Sequence, residues 1–419
     1  LLICFALAYW GGYVLMKQIF QTSDVAAILT AGLLMMNGFL PNRMIVGHLG
    51  FHGVVLIPWL AFFLLYPARS KLQEAILIVC AGLIVSYWVQ GGMGTLMLAA
   101  ALAVMVLAIM KALQGGRLTP FVYRGAAAGL LAIGISASKL VAAFAFMGNF
   151  TRDMYPLPGA QSVVDAIAMV LASMFMPSEQ VFEFMNTRLA NVMWTLTPHE
   201  WAYSFTWITA ILLLLLLALP GRLTLPSTRK NRVLMVFLVL CLAWPVAYCT
   251  YSPGWNAVLK SLPILGTAST PTRWMIVFIP FVAVMAGIML HRSAIRPPVK
   301  IGLTVATFAG MVAITSSEPR NYYKTQEYDI APVVLADQML RSGAWHPEIK
   351  EVGVTADFRY EKYEKKLYSN DTFLSGVSQI YCYNPIFGYR LEKFKADDLR
   401  PGSVFNANAG YLNLKNPAC

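Results

Sequence analysis

The feature that most constrains this chain is a succession of ten apolar runs, each close to the length needed to cross a bilayer. They cover residues 1–20, 25–40, 49–66, 74–89, 95–110, 125–147, 205–220, 233–250, 274–291 and 301–316. A spanning helix takes roughly 17–25 mostly apolar residues, because within lipid every backbone polar group must be satisfied inside the segment. Only 12% of the 419 residues are charged and 58% are hydrophobic, where a soluble domain carries about 25% charged residues. So few polar groups cannot build a soluble exterior, which excludes a water-soluble enzyme or binding module. The expected fold is an all-α polytopic membrane bundle of about ten transmembrane helices over residues 1–316.

The net charge is +12, and the placement of the cations orients the chain. One set of alternate loops holds Lys17, Arg69, Lys71, Lys111, Arg117, Arg124, Arg222, Arg229, Lys230, Arg232, Arg292, Arg296 and Lys300, thirteen in all. The opposite set holds Arg43, Arg152, Arg188, Lys260 and Arg273, together with Asp153, Asp165, Glu179, Glu183 and Glu200. Cytoplasmic loops carry the excess of Lys and Arg, so the first set is cytoplasmic. The expected protein is multi-pass, with these loops in the cytoplasm and membrane lipid as partner. No basic stripe calls for nucleic acid.

The external side then carries the features to search for chemistry. They are a short loop at 41–50, a tight turn at 90–94, a long loop at 148–203, a loop at 251–273 and everything after Ser317. The long loop contains two apolar-faced segments, 161–176 and 179–194, too short to span. They read as helices lying in the interface or dipping back into the bilayer, or as a plain helical hairpin capping the bundle. Residues 317–419 turn rich in Tyr, Asn, Lys and Asp and read as a small extracytoplasmic α/β domain. A helix is expected at 331–343, with strands at 351–357 and 376–383. Cys382 and Cys419 share that domain, where a disulfide stays open. Cys4, Cys80, Cys241 and Cys249 sit in apolar runs. The chain opens inside an apolar run and stops abruptly at Cys419, so both ends read as incomplete.

Several residues could carry chemistry. His48 and His52 stand four apart at a helix entrance, on one face if the helix has begun, just after Arg43. Without a third ligand nearby, no metal site is assigned; Arg43 or His48 contacts a polar substrate, or His48 caps the helix and His52 bonds a neighbouring helix. Lys139 lies inside the sixth run, where a cation faces a cavity or snorkels to the interface. Arg273 stands at the mouth of the ninth, its planar fork suited to phosphate or to anchoring beside Trp274. Asp153, Glu179, Glu183, His199 and Glu200 are the external ionisable groups, and any carboxylate among them could act as a base. Taken singly, each reads better as a solvated surface charge. The aromatic-rich stretch 381–390 could stack on sugar rings or form domain core.

A Gly-His pair (Gly47-His48) opens a helix after an external loop. Ser136-Ala137-Ser138-Lys139-Leu140 leads into a long external loop. Leu262-Pro263 and then Pro271-Thr272-Arg273-Trp274 lead into a late helix, and an external tail follows. This order resembles the GT-C-type polytopic membrane glycosyltransferases, in particular the YfhO-like bacterial membrane proteins, over most of 25–316. The sequence departs from the pattern at Ser269, where an Arg is usual. The resemblance implies a GT-C-like bundle in a bacterial inner (cytoplasmic) membrane, a periplasmic C-terminal domain, and transfer of a sugar from a polyprenyl-phosphate-linked donor to a cell-envelope glycan or lipid. Arg43, His48, His52, Lys139 and Arg273 would bind substrate. It places the main acidic base in an external loop ahead of the residues present, leaving Asp153 as the local candidate. A divalent cation cofactor stays open. Rival readings are a non-catalytic structural subunit of a larger membrane complex, with other membrane subunits as partners, and a metal-independent O-antigen-ligase-like transferase. A flippase fits less well, because Lys139 stands nearly alone within the spans.

Overall fold

The computed structural model describes residues 2–45, 48–94, 96–147, 157–192, 196, 198–218, 228–262, 265–267 and 270–317, and four short strands beyond them. The chain divides into two compact units, Leu1–Val141 with Tyr155–Tyr322, and Ala142–Met154 with Tyr323–Cys419.

The first unit is a helical bundle, several of whose helices are long and apolar enough to cross a membrane. Helix α1 (Leu2–Val14) continues through a π turn at Leu15–Ile19; α2 (Asp24–Met36) and α3 (Phe39–Ile45) form a second, interrupted span. A 3-10 segment, Leu49–Leu56, runs into α4 (Ile57–Leu65). Then follow α5 (Lys71–Gln90), α6 (Leu96–Leu113), α7 (Thr119–Ile135) and α8 (Ala137–Met147). The long loop contributes β1 (Gly159–Ala160), α9 (Val163–Phe175), α10 (Ser178–Asn186) and β2 (Leu189–Ala190). The chain ends its membrane part with α11 (Thr206–Ala218), α12 (Arg229–Tyr248), α13 (Pro253–Ser261), α14 (Phe278–Arg292) and α15 (Pro297–Ser317).

Among the described residues seven helices meet the length and composition of a span, and an eighth does if α7 and α8, bent by 69°, count as one. The ten expected runs are therefore not ten regular helices. The run at 49–66 is wound partly as 3-10 helix, as its Gly50, Gly53 and Pro58 permit. At about 2.0 Å per residue for 3-10 and 1.5 Å for α-helix it still extends about 30 Å. The run at 205–220 forms only the thirteen residues of α11, about 20 Å, before the described residues break off.

The core centres on α14, which packs against both α2 and α6. A Cβ on Gly287 would collide with Thr30 Oγ1 and stand 3.0 Å from the Ala26 carbonyl oxygen. The missing side chain lets Thr30 Oγ1 donate to Ala283 O across the crossing at 3.1 Å. Small residues at such contacts are how helices associate without a hydrophobic gradient between them. On the basic-loop face, buried Arg124 reaches from α7 to the end of α4. It donates to Tyr66 O at 2.5 Å and to Phe63 O and Leu64 O at 3.3 Å, and pairs with Glu74 through both Nε and Nη2. These bonds satisfy carbonyls that a helix C-terminus leaves without partners.

In the second unit the described strands form two antiparallel pairs, Arg359–Tyr360 with Lys365–Lys366 and Val404–Asn406 with Tyr411–Asn413. The helix expected at 331–343, the strands at 351–357 and 376–383, the aromatic stretch 381–390, and Cys382 with Cys419 lie outside the described residues.

Candidate functional site

Three loops that the charge pattern assigns to one face meet at a buried cluster in the first unit. The break between α2 and α3 sets the first partner. Asn37 Oδ1 accepts from Phe39 N at 3.1 Å and its Nδ2 donates to Leu34 O at 2.6 Å, while Gly38 N donates to Ser204 O at 2.9 Å. The end of the span is thus docked against the segment before α11, and the short α3 points Arg43 at Glu200. Glu200 closes a 3-10 turn, Pro198–Glu200, and Arg273 stands in another, Pro271–Val277, that leads into α14.

The geometry is tight. Arg43 Nη2 donates to Glu200 Oε2 at 2.6 Å and Arg273 Nη2 to Glu200 Oε1 at 2.8 Å, with Arg273 Nε 3.4 Å from Oε2. Side-chain exposure is 0% for Arg43, 7% for Glu200 and 20% for Arg273, so only Arg273 keeps an opening to its surroundings. Phe51 lies under both guanidinium groups, 5.0 Å from Arg43 and 4.9 Å from Arg273, and Phe39 adds a second ring at 5.5 Å from Arg43. Cation–π contact of this kind strengthens when water is excluded. Arg43 Nε and the hydroxyls of Tyr203 and Thr272 are buried polar atoms without a hydrogen-bond partner among the described residues.

Two imidazoles complete the cluster. Arg43 Nη1 lies 3.3 Å from His48 Nδ1, and the rings of His48 and His199 stand 4.9 Å apart, edge to face. Since arginine can only donate, Nδ1 is the acceptor and the proton of neutral His48 sits on Nε2. Burial lowers the pKa of His48, with the charge of Arg43 adding to the effect. Burial likewise pushes His199 down to about 4, against the opposing pull of Glu200. Burial alone would raise Glu200, but Arg273 and Arg43 outweigh it and hold its carboxyl well below the usual carboxylate range. At neutral pH the cluster therefore holds two guanidinium cations, one carboxylate and two neutral imidazoles.

His48, His199 and Glu200 bring their possible ligand atoms within 4.8 Å of one another. The donor types suit zinc, but the surroundings do not suit a cation. Both carboxylate oxygens already accept from guanidinium groups, and the cluster carries net positive charge before any metal is added. The residues present do not fit a divalent cation.

The other residues singled out in sequence lie elsewhere. His52 pairs through Nε2 with the Tyr87 hydroxyl, and Lys139 Nζ donates to Gln90 O at 2.5 Å. Both thus meet the end of α5. Asp153 lies outside the described residues. Among the carboxylates expected to be solvated, Glu200 is instead buried, because two cations remove the cost of taking its charge out of water. Nothing about Glu200 in the sequence marks it, apart from its place beside His199 in a loop that the charge pattern puts on the same face as both arginines. Asp165 is half-buried and pairs with Arg188 at 3.2 Å.

Fold and site together define a polytopic helical membrane protein with a buried cationic cluster at one face of its bundle. Compared with known proteins, the chain matches no family, no curated protein and no solved structure.

Proposed function

We propose that this chain is the membrane part of a GT-C-type glycosyltransferase. It moves a sugar from a polyprenyl-phosphate-linked donor to a cell-envelope glycan or lipid acceptor, at the external face of a bacterial cytoplasmic membrane, with its C-terminal portion periplasmic. The observation that carries the reading is the convergence of Arg43 and Arg273 on Glu200, beside His48 and His199. The resemblance noted in the sequence supplies the reaction class.

Arg273, the accessible cation, receives the phosphate. A guanidinium has five N–H donors, more than its contacts to Glu200 consume. Glu200 fixes the orientation of the fork in advance, which limits the entropy lost on binding. As the bond from the sugar C1 to the phosphate oxygen breaks, negative charge builds on that oxygen, and Arg273 with Arg43 behind it stabilises the charge in a dry site. His48 and His199 are neutral and can donate without adding charge. Glu200, doubly paired and weakly basic, is not the group that takes the acceptor hydroxyl proton; Asp153 is the base this reading assigns within the chain. His52 and Lys139 are assigned no step.

A second reading, a non-catalytic subunit, is favoured by one observation: both guanidinium groups are already paired with Glu200. The two separate in a lipid titration of the full chain in nanodiscs, using decaprenyl phosphate and decaprenol, followed by native mass spectrometry. The phosphate form should bind at least tenfold tighter, and Arg273→Gln should remove most of that difference. Equal binding of the two lipids, or an Arg273→Gln variant that behaves like the parent, would leave the cluster as a structural lock.

A further inference from the structure

Helix α9 has thirteen residues, about 20 Å, too short to cross the hydrocarbon core. Four of its large apolar residues are exposed: Val163 by 58%, Val164 by 75%, Ile167 by 46% and Leu171 by 54%. At 100° per residue these four fall within one arc of about 100°, and no polar side chain lies in it. The opposite face, including Ala166, Met169, Val170 and Ser173, is buried, and the helix packs on α10, α11 and α12. The polar groups of its first turn are turned away from the arc, with Asp165 engaged by the Ser162 cap and by Arg188.

Both ends of α9 are tied to the same rim of the bundle. Just before it, Ala160 N donates to Cys249 O at 2.7 Å and Tyr251 N donates to Ala160 O at 2.8 Å, directly after α12 ends. Near its last turn, Phe205 N donates to Met174 O at 2.7 Å, directly before α11 begins. The charge pattern puts the end of α12 and the start of α11 on the same, less basic face. A helix pinned at both ends to that rim runs along it and does not descend into the bilayer.

We infer that α9 is a membrane-surface helix. It lies in the plane of the bilayer on the less basic face, with Val163, Val164, Ile167 and Leu171 set among lipid acyl chains. The occupant is lipid because the spans α9 packs against also present exposed apolar side chains, such as Trp207 and Ile211 on α11 and Phe237 and Leu240 on α12. An amphipathic helix of this kind sits with its apolar face roughly 5–10 Å into the head-group boundary. Since α10 and the Glu200 turn follow α9 and pack on one another, the cationic cluster is held near head-group depth. The inference stands whether or not the chain transfers a sugar.

Replacement Val164→p-benzoylphenylalanine in the full chain, followed by irradiation in native membranes and mass spectrometry, tests it. Phospholipid adducts should form at least fivefold more often than from the same photoprobe at Gln161, an exposed polar position just before the helix. Leu171→p-benzoylphenylalanine should behave like the Val164 variant and covers the case in which one replacement disturbs folding. Adducts dominated by residues 323–419, by a second copy of the chain or by another protein, or no excess over Gln161, would overturn the lipid assignment.

Discussion

Replacing Glu200 with glutamine should be among the most costly single changes in the bundle, and the reason lies in who is left behind. The amide keeps the shape but removes the carboxylate that the two cations share. Arg273, at 20% exposure, can recruit water; Arg43, at 0%, cannot, and among the described residues it is left with His48 Nδ1 at 3.3 Å and the neighbouring Tyr203 hydroxyl. Breaking a buried ion pair by removing one partner costs about 3–5 kcal/mol, so Glu200→Gln should cost about 4 kcal/mol. Arg273→Gln leaves the 2.6 Å pair of Arg43 with Glu200 intact and should cost about 1 kcal/mol. The double change Glu200→Gln with Arg43→Gln should recover about 2 kcal/mol relative to the sum of the singles, as expected for groups in direct contact. The assay is reversible unfolding of the full chain in mixed micelles, followed by tryptophan fluorescence. The pH dependence gives an independent check. The Glu200 carboxyl titrates lower in the folded chain than its unfolded value of about 4.3. Its contribution is therefore fully present above that value and is lost as the pH falls through the folded one. A Glu200→Gln cost below about 1 kcal/mol, equal costs for Glu200→Gln and Arg273→Gln, or strict additivity in the cycle would refute the argument that Arg43 depends on Glu200.

Three further outcomes follow from the same structure. His199 titrates at about 4 in the folded chain and near 6.5 unfolded, so the unfolded chain alone binds this proton between those values. Stability should fall by about 3 kcal/mol as the pH drops from about 6.5 to about 4, and His199→Gln should flatten that slope in pH-dependent unfolding. Arg124→Met should cost about 3 kcal/mol, because it strips the carbonyls ending α4 and leaves Glu74 without its bidentate partner. Arg124→Lys should recover only part of that loss in the same unfolding assay, since an ammonium cannot form the fork. Zinc at tens of micromolar should leave the unfolding midpoint of the parent chain unchanged; an upward shift abolished by His48→Ala would show that the His48, His199 and Glu200 donors do accept a cation.

The bundle was legible in the sequence because burial in lipid is a one-dimensional property: a run of apolar residues announces itself wherever it lies. What that signal did not carry was local winding. Gly50, Gly53 and Pro58 sit inside an apolar run and let it wind as 3-10 helix from Leu49 to Leu56, and hydropathy does not distinguish that from α-helix. Part of the cluster was legible too, for Arg43, His48 and Arg273 each mark the mouth of a helix on one side. Glu200 was not, and the reason is general. A carboxylate in a polar loop is solvated by default, and what reverses that default here lies 157 residues away at Arg43 and 73 residues away at Arg273. Pairing across such distances leaves no periodicity to detect. His52 and Lys139 show the converse. Both looked like members of the same site because they share its face, yet each is held at the end of α5, by Tyr87 and by the Gln90 carbonyl. Charge alone grouped these loops on one face, whereas the choice of partners on that face required the packing of α3 against the turn that carries Glu200.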